Sequence, residues 1–574
     1  MQRAGRIADL ARTALAVLAR HPVFAVALGA ALALRAVAEL GYRWAIWFND
    51  SFDYLAIALR LRPDPMRPIG YPVLLWLLKP LHGFIVVTAL QHLLGLGTAV
   101  LMYALLRRRF GLPGWAATLA AVPMLFDAFQ IQLEQLLLAD TLFTFLTVAG
   151  IVALCWRKAA RIERISAWRA GLAGVLLAMA AITRPIAIAV IIIAVCYLAA
   201  CHAGWRAITA ACAAACAPLA GYVLWFHALT GQFGFDSTDG IYLWGRTAAF
   251  ADCRVIKPPA EEAWLCPRLP VAERAASSSQ VWQPGAPPFH YQHGQVFSAA
   301  ENDLALRFAL RAIAAQPGGY ASTVLTGTGH AFTWDRTSYP TGYTASLYTF
   351  AGAKSWLPTW AEPGGRSAAS VARAYAGGQA ATAIVTPYST LARWYQRYFY
   401  LRGPLLAVIL VIPPAAGLAA TGARIRRWRR RRGRDLPSAN PDPHQHPDPH
   451  PDQRPRPDPR PDQRPRPDPH PDPDPDPDPD PDPDQRAQVA AERRATWLCW
   501  SSALALLLIP PLTVDFDYRY VLPAVPFSCL AAALAARRYV AGVGRFHAGQ
   551  PPGTCGNPAA ASMRTIHELT RSDG

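Results

Sequence analysis

Apolar residues along this chain come in long runs, and polar residues collect between them. Ten runs approach the roughly 17–25 residues that cross a bilayer as a helix: 22–40, 83–106, 113–129, 133–156, 168–183, 185–201, 206–229, 402–421, 495–514 and 519–537. The pattern predicts a polytopic α-helical membrane protein with about ten transmembrane helices. Two segments interrupt it. Residues 230–401 are rich in Gly, Pro, Trp, Tyr and Thr and hold few long apolar runs. They predict a folded extracytoplasmic domain of mixed secondary structure, partly wrapped over the membrane core. From about 435 to 488, Pro alternates with Asp, His and Arg. Proline at every second position removes donors and blocks helix, and no apolar face is left to bury, so this stretch reads as a disordered, extended linker. His444, His446 and His450 within it read as part of the spacer rather than as a metal site.

Charge fixes the orientation. Only 16% of residues are charged, against about 25% in an average soluble domain, and mean hydropathy is +0.15. The formal net charge of +18 raises the question of nucleic acid, but its placement answers it. Arginines gather at 107–109, 157–169 and 424–434, each beside an apolar run. They act as topology determinants under the positive-inside rule, and no nucleic-acid partner is expected. Arg3, Arg6, Arg12 and Arg20 place the N-terminus in the cytoplasm, where its basic stretch runs on into a long helix rather than a cleavable signal. The other basic loops, Arg206 and Arg537-Arg538 then fall on the same side, and the C-terminus with them. The loop 41–82, the turns near 130 and 184, the segment 230–401 and residues 515–518 face outward. The organisation is a membrane module over 1–230, an extracytoplasmic domain over 231–401, a helix over 402–421, a basic and Pro-Asp-rich linker over 422–494, C-terminal helices over 495–540 and a cytoplasmic tail over 541–574. Cys155, Cys196, Cys212 and Cys216 lie singly in apolar runs as small hydrophobes. Cys253 and Cys266 lie in an outward polar loop, where a disulfide is the natural reading.

Candidate chemistry collects at the outer ends of the helices. Asp50, Asp53 and Tyr54 share one face if 49–54 is helical. Carboxylates so near lipid are costly unless paired or used. One placed at an acceptor hydroxyl can act as a general base, although Asp50-Ser51 could equally cap a helix. Arg67-Pro68-Ile69-Gly70-Tyr71-Pro72 follows. An outward arginine runs against the positive-inside tendency, and it suits a lipid phosphate. Glu134 and Asp140 lie on the same side, as do Arg184 in Thr183-Arg184-Pro185 and Arg519-Tyr520 after Asp515 and Asp517. Asp140 could be a helix cap, a catalytic acid or, with Asp50 and Glu134, a ligand of a divalent metal; no cofactor is certain. Arg35 sits inside the first apolar run and needs a carboxylate, backbone carbonyl or anionic partner. Acids and arginines from distant segments thus recur on one membrane face, as a site for an anionic lipid carrier and an acid/base reaction requires.

The order D-x-x-x-Y after the first helix, then R-P-x-x-Y-P, A-D-T-L-F, T-R-P and R-Y-V-L-P-A-V-P resembles the GT-C membrane glycosyltransferases. It is most similar to the phospholipid-carrier-dependent branch of protein mannosyltransferases and aminoarabinose transferases. The resemblance covers roughly 22–230 and 495–537. It implies a polyprenyl-phosphate sugar donor, an outward-facing active site and a cell-envelope glycan, lipid or protein as acceptor, in a multi-pass protein of the cell membrane. Asp50 falls at the family's catalytic acid in the first outer loop. Arg67 stands where relatives often carry Lys or His, and Asp140 where many have Glu in S-E-P-L-F. Arg184 and Arg519 match arginines at outer helix ends. Asp53 has no secure equivalent and would tune Asp50 by its like charge. Asp50, Asp53 and Asp140 are therefore the candidate catalytic residues, and Tyr54, Arg67, Tyr71, Glu134, Arg184, Arg519 and Tyr520 the candidate substrate-binding ones. Two other readings remain. A lipid-linked sugar transporter or flippase would show internal repeats and charges at mid-membrane, whereas here the charges cluster at the outer face. A non-catalytic glycan-binding protein could use Trp244, Trp264, Trp282 and Trp334 for stacking, although the same residues could form a core.

Overall fold

The computed structural model describes residues 20–156, 165–282, 298–353, 357–360, 365–434 and 483–548. Arg3, Arg6 and Arg12, positions 157–164 of the second basic loop, the Pro-Asp-rich run up to 482 with His444, His446 and His450, and the tail from 549 lie outside the described residues.

Each long apolar run becomes helical. Among the described residues, six helices are long and apolar enough to cross a membrane: Pro22–Gly41, Phe84–Arg109, Trp205–Thr230, Gly403–Gly422, Gln485–Thr513 and Tyr518–Arg537. A further crossing is a broken pair, Gly114–Phe126 and Ala128–Gln135, bent by 49°. The break has a cause. Asp127 is extended between the two pieces, and its carboxylate caps the second by accepting from the amides of Phe129 and Gln130. Its other oxygen accepts from the Leu401 amide at 2.8 Å. Three more apolar helices, Asp140–Cys155, Ala167–Thr183 and Ala187–Ala200, are shorter. Length and composition therefore define six crossings, or seven with the bent pair. The three short helices account for the difference from the expected ten.

Lipid supplies little hydrophobic drive between helices, so close approach of small residues does the packing. Ala170, Gly174 and Ala178 on one helix and Ala207, Ala211 and Ala215 on its neighbour are all buried. A Cβ on Gly174 would strike the Ala211 carbonyl, so the contact requires glycine. The bundle has two chemically distinct ends. At one, near Arg107–Arg109, the Tyr103 hydroxyl meets the His21 imidazole at 3.0 Å and Arg537 pairs with Glu492. The 41–82 loop, the 231–401 segment and residues 515–518 gather at the other.

The 231–401 segment is built of short helices. Among the described residues the only strands are Tyr42–Arg43 and Ala383–Ile384, which pair antiparallel with Tyr42 opposite Ile384. The segment uses two cores. Ile241, Trp244, Phe308 and Ala312 form one, beside a disulfide between Cys253 and Cys266. Further along, Tyr348, Phe350, Val371 and Tyr375 share a core with Phe52, Tyr71 and Phe84, so this part wraps over the first loop. That loop is also tied to the broken helix, because the Ile46 amide donates to the Gln135 carbonyl at 3.0 Å.

Candidate active site

Asn49–Arg60 is a helix lying on its apolar face, with Asp50, Asp53 and Tyr54 all buried. Asp50 does not cap it. The residue before the helix is Phe48, whose amide donates to the Ser51 hydroxyl at 3.0 Å. This leaves the Asp50 carboxylate free to turn inward. One of its oxygens accepts from Arg67 Nη2 at 2.7 Å and the other from Arg519 Nη1 at 2.8 Å. Arg67 also donates from Nε to Asp53 at 3.2 Å and reaches the Tyr242 hydroxyl at 3.4 Å. Burial alone would raise the Asp50 carboxyl, but Arg67 and Arg519, with Arg184 adding to them, outweigh it and hold it below the usual carboxylate range. Asp50 is therefore ionised at neutral pH. Burial works against the charge of Arg67, yet Asp50, Tyr242 and Asp53 more than compensate, so it stays charged.

The site continues through Tyr520. Arg519 Nη2 lies 3.3 Å from the Tyr520 hydroxyl, and the Arg184 guanidinium carbon sits 4.9 Å from the centroid of the same ring. Arg184 in turn pairs with Asp140. The structure thus brings Asp50, Asp53, Arg67, Arg519, Tyr520, Arg184 and Asp140 into one chain of contacts. Tyr54 packs its ring edge-on against Tyr71, with centroids 5.1 Å apart. The Tyr71 hydroxyl is committed elsewhere, donating to Gln91 at 2.6 Å.

Glu134 is not part of this chain. Arg35 holds it from Nε at 2.7 Å and from Nη2 at 2.9 Å, and His92 Nδ1 contacts it at 2.9 Å. The remaining Arg35 donors go to the carbonyls of Ala31, Met124 and Leu125. Arg35 thus has the carboxylate and the backbone carbonyls it needs, and together they clamp the broken helix. Among the described residues no group of three or more His, Cys, Asp and Glu side chains is gathered to hold a metal ion. Asp50, Glu134 and Asp140 each face an arginine instead.

Two features escaped the sequence. Asp517 accepts from the Tyr348 hydroxyl at 2.7 Å and lies 3.4 Å from Arg519 Nε. That Nε has no hydrogen-bond partner among the described residues, so a buried donor is left over beside Asp50. Arg246 pairs with Asp515 at 3.2 Å and fastens the 231–401 segment to the last span. The run Asp515-Phe516-Asp517 signalled the acids, but nothing in the sequence signalled their partners.

The helices and this chain of acids and arginines define a multi-pass membrane protein with a polar site at one end of its bundle. Residues 82–230 match the family model described as dolichyl-phosphate-mannose-protein mannosyltransferase. That family belongs to the GT-C superfamily, and the matched segment carries Glu134, Asp140 and Arg184. The match supports a membrane glycosyltransferase that uses a lipid-linked sugar. Asp50, Arg67 and Arg519 lie outside the matched residues. No curated protein and no solved structure matches the chain.

Proposed function

We propose that the protein moves a sugar from a polyprenyl-phosphate donor to a hydroxyl of a cell-envelope glycan, lipid or protein, on the extracytoplasmic face and with inversion. The observation that carries this reading is the Asp50 carboxylate shared between Arg67 and Arg519, 17 and 469 residues away in sequence. An incoming donor phosphate competes with Asp50 for the two guanidiniums, and Arg519 Nε, ion-paired with Asp517 at 3.4 Å but making no hydrogen bond among the described residues, can receive it. Each arginine drawn to the phosphate frees a carboxylate oxygen. Asp50 then accepts the proton of the acceptor hydroxyl as its oxygen bonds to the anomeric carbon. The bond from that carbon to the phosphate oxygen breaks with its electron pair, and polyprenyl phosphate leaves. Arg67, Arg519 and Arg184 hold its charge. Asp53 keeps Arg67 in place, and Asp140 does the same for Arg184.

The test is carrier release by the full-length protein in nanodiscs, given a panel of polyprenyl-phosphate sugars and envelope acceptors. Asp50→Asn should lower transfer by about 10²–10⁴-fold, the usual weight of a general base. Intact transfer by a folded, membrane-inserted Asp50→Asn protein would sink the reading. Flipping of the donor without carrier release would favour a transporter. Parallel assays in EDTA and in added Mg²⁺ report whether a divalent ion takes part.

A further inference from the structure

Beside the Asp50 site an open cleft of about 600 Å³ lies between the 335–350 stretch, the helix Tyr388–Tyr398 and the last span. Two stacked rings, Tyr348 and Phe48, lie between the cleft and Arg519. Tyr348 lines the cleft and stacks on Phe48, with centroids 5.2 Å apart. The guanidinium carbon of Arg519 lies 4.7 Å from the centroid of that Phe48 ring.

The cleft carries unbalanced positive charge. Arg336, Arg393 and Arg397 line it, against one carboxylate, Asp335. Asp335 is already taken by Arg402 and by the Tyr400 hydroxyl. Arg336 is the telling residue. Its guanidinium carbon lies 3.4 Å from the Phe129 ring centroid and 4.8 Å from that of Tyr518. Among the described residues, rings are its only close partners, and no carboxylate or carbonyl accepts a hydrogen bond from it. Asp127 is the acid that attracts it most, but the Asp127 oxygens are occupied by the amides of Phe129, Gln130 and Leu401. A half-buried guanidinium with a ring 3.4 Å away on its face and its donors open to the cleft is placed to take an anion from outside. The aromatic lining, including Tyr348, Phe350 and Tyr400, suits a sugar ring better than an extended peptide.

We propose that this cleft is the acceptor subsite and takes a sugar residue bearing a carboxylate or phosphate, the anion on Arg336 and the ring against the aromatic wall. The assignment rests on the transferase reading above and narrows its acceptor to an acidic glycan.

Binding tests it without turnover. The probes are tetragalacturonate and a neutral galactose tetramer, titrated against the full-length protein in nanodiscs. Tetragalacturonate should bind at least about tenfold more tightly, the effect of one hydrogen bond to a charged group, and lose that advantage as salt rises. Arg336→Met should abolish the difference. Arg397→Gln, at an exposed position, should reduce it. Equal affinity for the two tetramers, or an undiminished difference in both variants, overturns the proposal. So does tetraglutamate binding as tightly as the acidic sugar, which would indicate a peptide, or displacement by undecaprenyl phosphate, which would make the cleft a donor site. Asp50→Asn should lose transfer yet keep tetragalacturonate binding. If it loses both, the cleft is not a separate subsite.

Discussion

Removing one member of the Arg35–Glu134 pair should destabilise the bundle before it touches the chemistry. The pair is bidentate, at 2.7 and 2.9 Å, and its side chains are 1% and 0% exposed. Breaking a buried pair by deleting one partner costs about 3–5 kcal/mol, mostly because the other charge is stranded. Arg35→Met leaves Glu134 with His92 and Gln130 as its polar contacts and frees the carbonyls of Met124 and Leu125 at the end of the bent helix. The expected loss is therefore toward the upper end of that range. Glu134→Gln strands Arg35 in the same way, while the double variant removes both charges and should recover about 1–3 kcal/mol of the summed losses. The measurement is unfolding in mixed micelles with rising SDS, followed by tryptophan fluorescence, with transfer scored per folded molecule. Transfer by folded Glu134→Gln should stay within about tenfold of the parent, since Glu134 makes no contact with Asp50 or its arginines. A drop beyond about a hundredfold with unchanged unfolding would show Glu134 acting in the reaction and refute the structural assignment.

Other outcomes follow from the same geometry. Burial and the neighbouring Asp239 push the Asp236 carboxyl up to about 6. Its unfolded value is about 3.9, so the folded protein holds the extra proton, and this contribution is full below about pH 4 and lost as pH rises through about 6. Asp236→Asn should remove that slope in thermal unfolding and stabilise the protein at pH 7, by less than the roughly 3 kcal/mol of a fully buried group. Arg67 also faces Asp236, so donor affinity of the parent should improve as pH falls through the same range, and Asp236→Asn should flatten that trend. Arg246→Met should cost about 3–5 kcal/mol, because Arg246 holds Asp515, the Thr323 carbonyl and the Ser277 hydroxyl at once; limited proteolysis within 231–401 should accelerate. Replacing Cys253 and Cys266 by serine opens a loop spanning 13 positions and should cost roughly 3 kcal/mol, read as a lower midpoint of the fluorescence transition.

The acids and arginines at the site were legible because charge beside lipid is expensive, so each charged position there asks for a reason. Their partners were not legible, because partnership depends on how helices cross and not on local pattern. Glu134 and Asp140 lie six residues apart in one sequence neighbourhood, yet the 49° break turns Glu134 into the bundle toward Arg35, while Asp140 opens the next helix facing Arg184. Arg336 was invisible for the same reason. Its stretch Thr333-Trp334-Asp335-Arg336-Thr337 looks like an ordinary loop, and the rings that pack on it come from two distant membrane helices. The composition of 231–401 suggested mixed structure because Gly and Pro punctuate it often, but here they end short helices instead of bounding strands.

The pairings also sort the arginines by what they can still do. Arg35 has spent its donors on one carboxylate and three carbonyls, all within the bundle. No ligand can recruit it without unfolding the helix it holds. Arg67 and Arg519 share the Asp50 carboxylate, and Arg519 Nε makes no hydrogen bond among the described residues, with Asp517 3.4 Å away. The donor's phosphodiester, with one negative charge, would take the place of Asp50 between them at little structural expense, and the polyprenyl phosphate that leaves, with a second charge, would engage their donors more strongly still. The same carboxylate that now neutralises the arginines is the one released when they turn to the phosphate. Donor binding and the arming of the base are then one event, and Asp50 would be a competent base only with the donor in place. An empty site would hold Asp50 with both oxygens occupied.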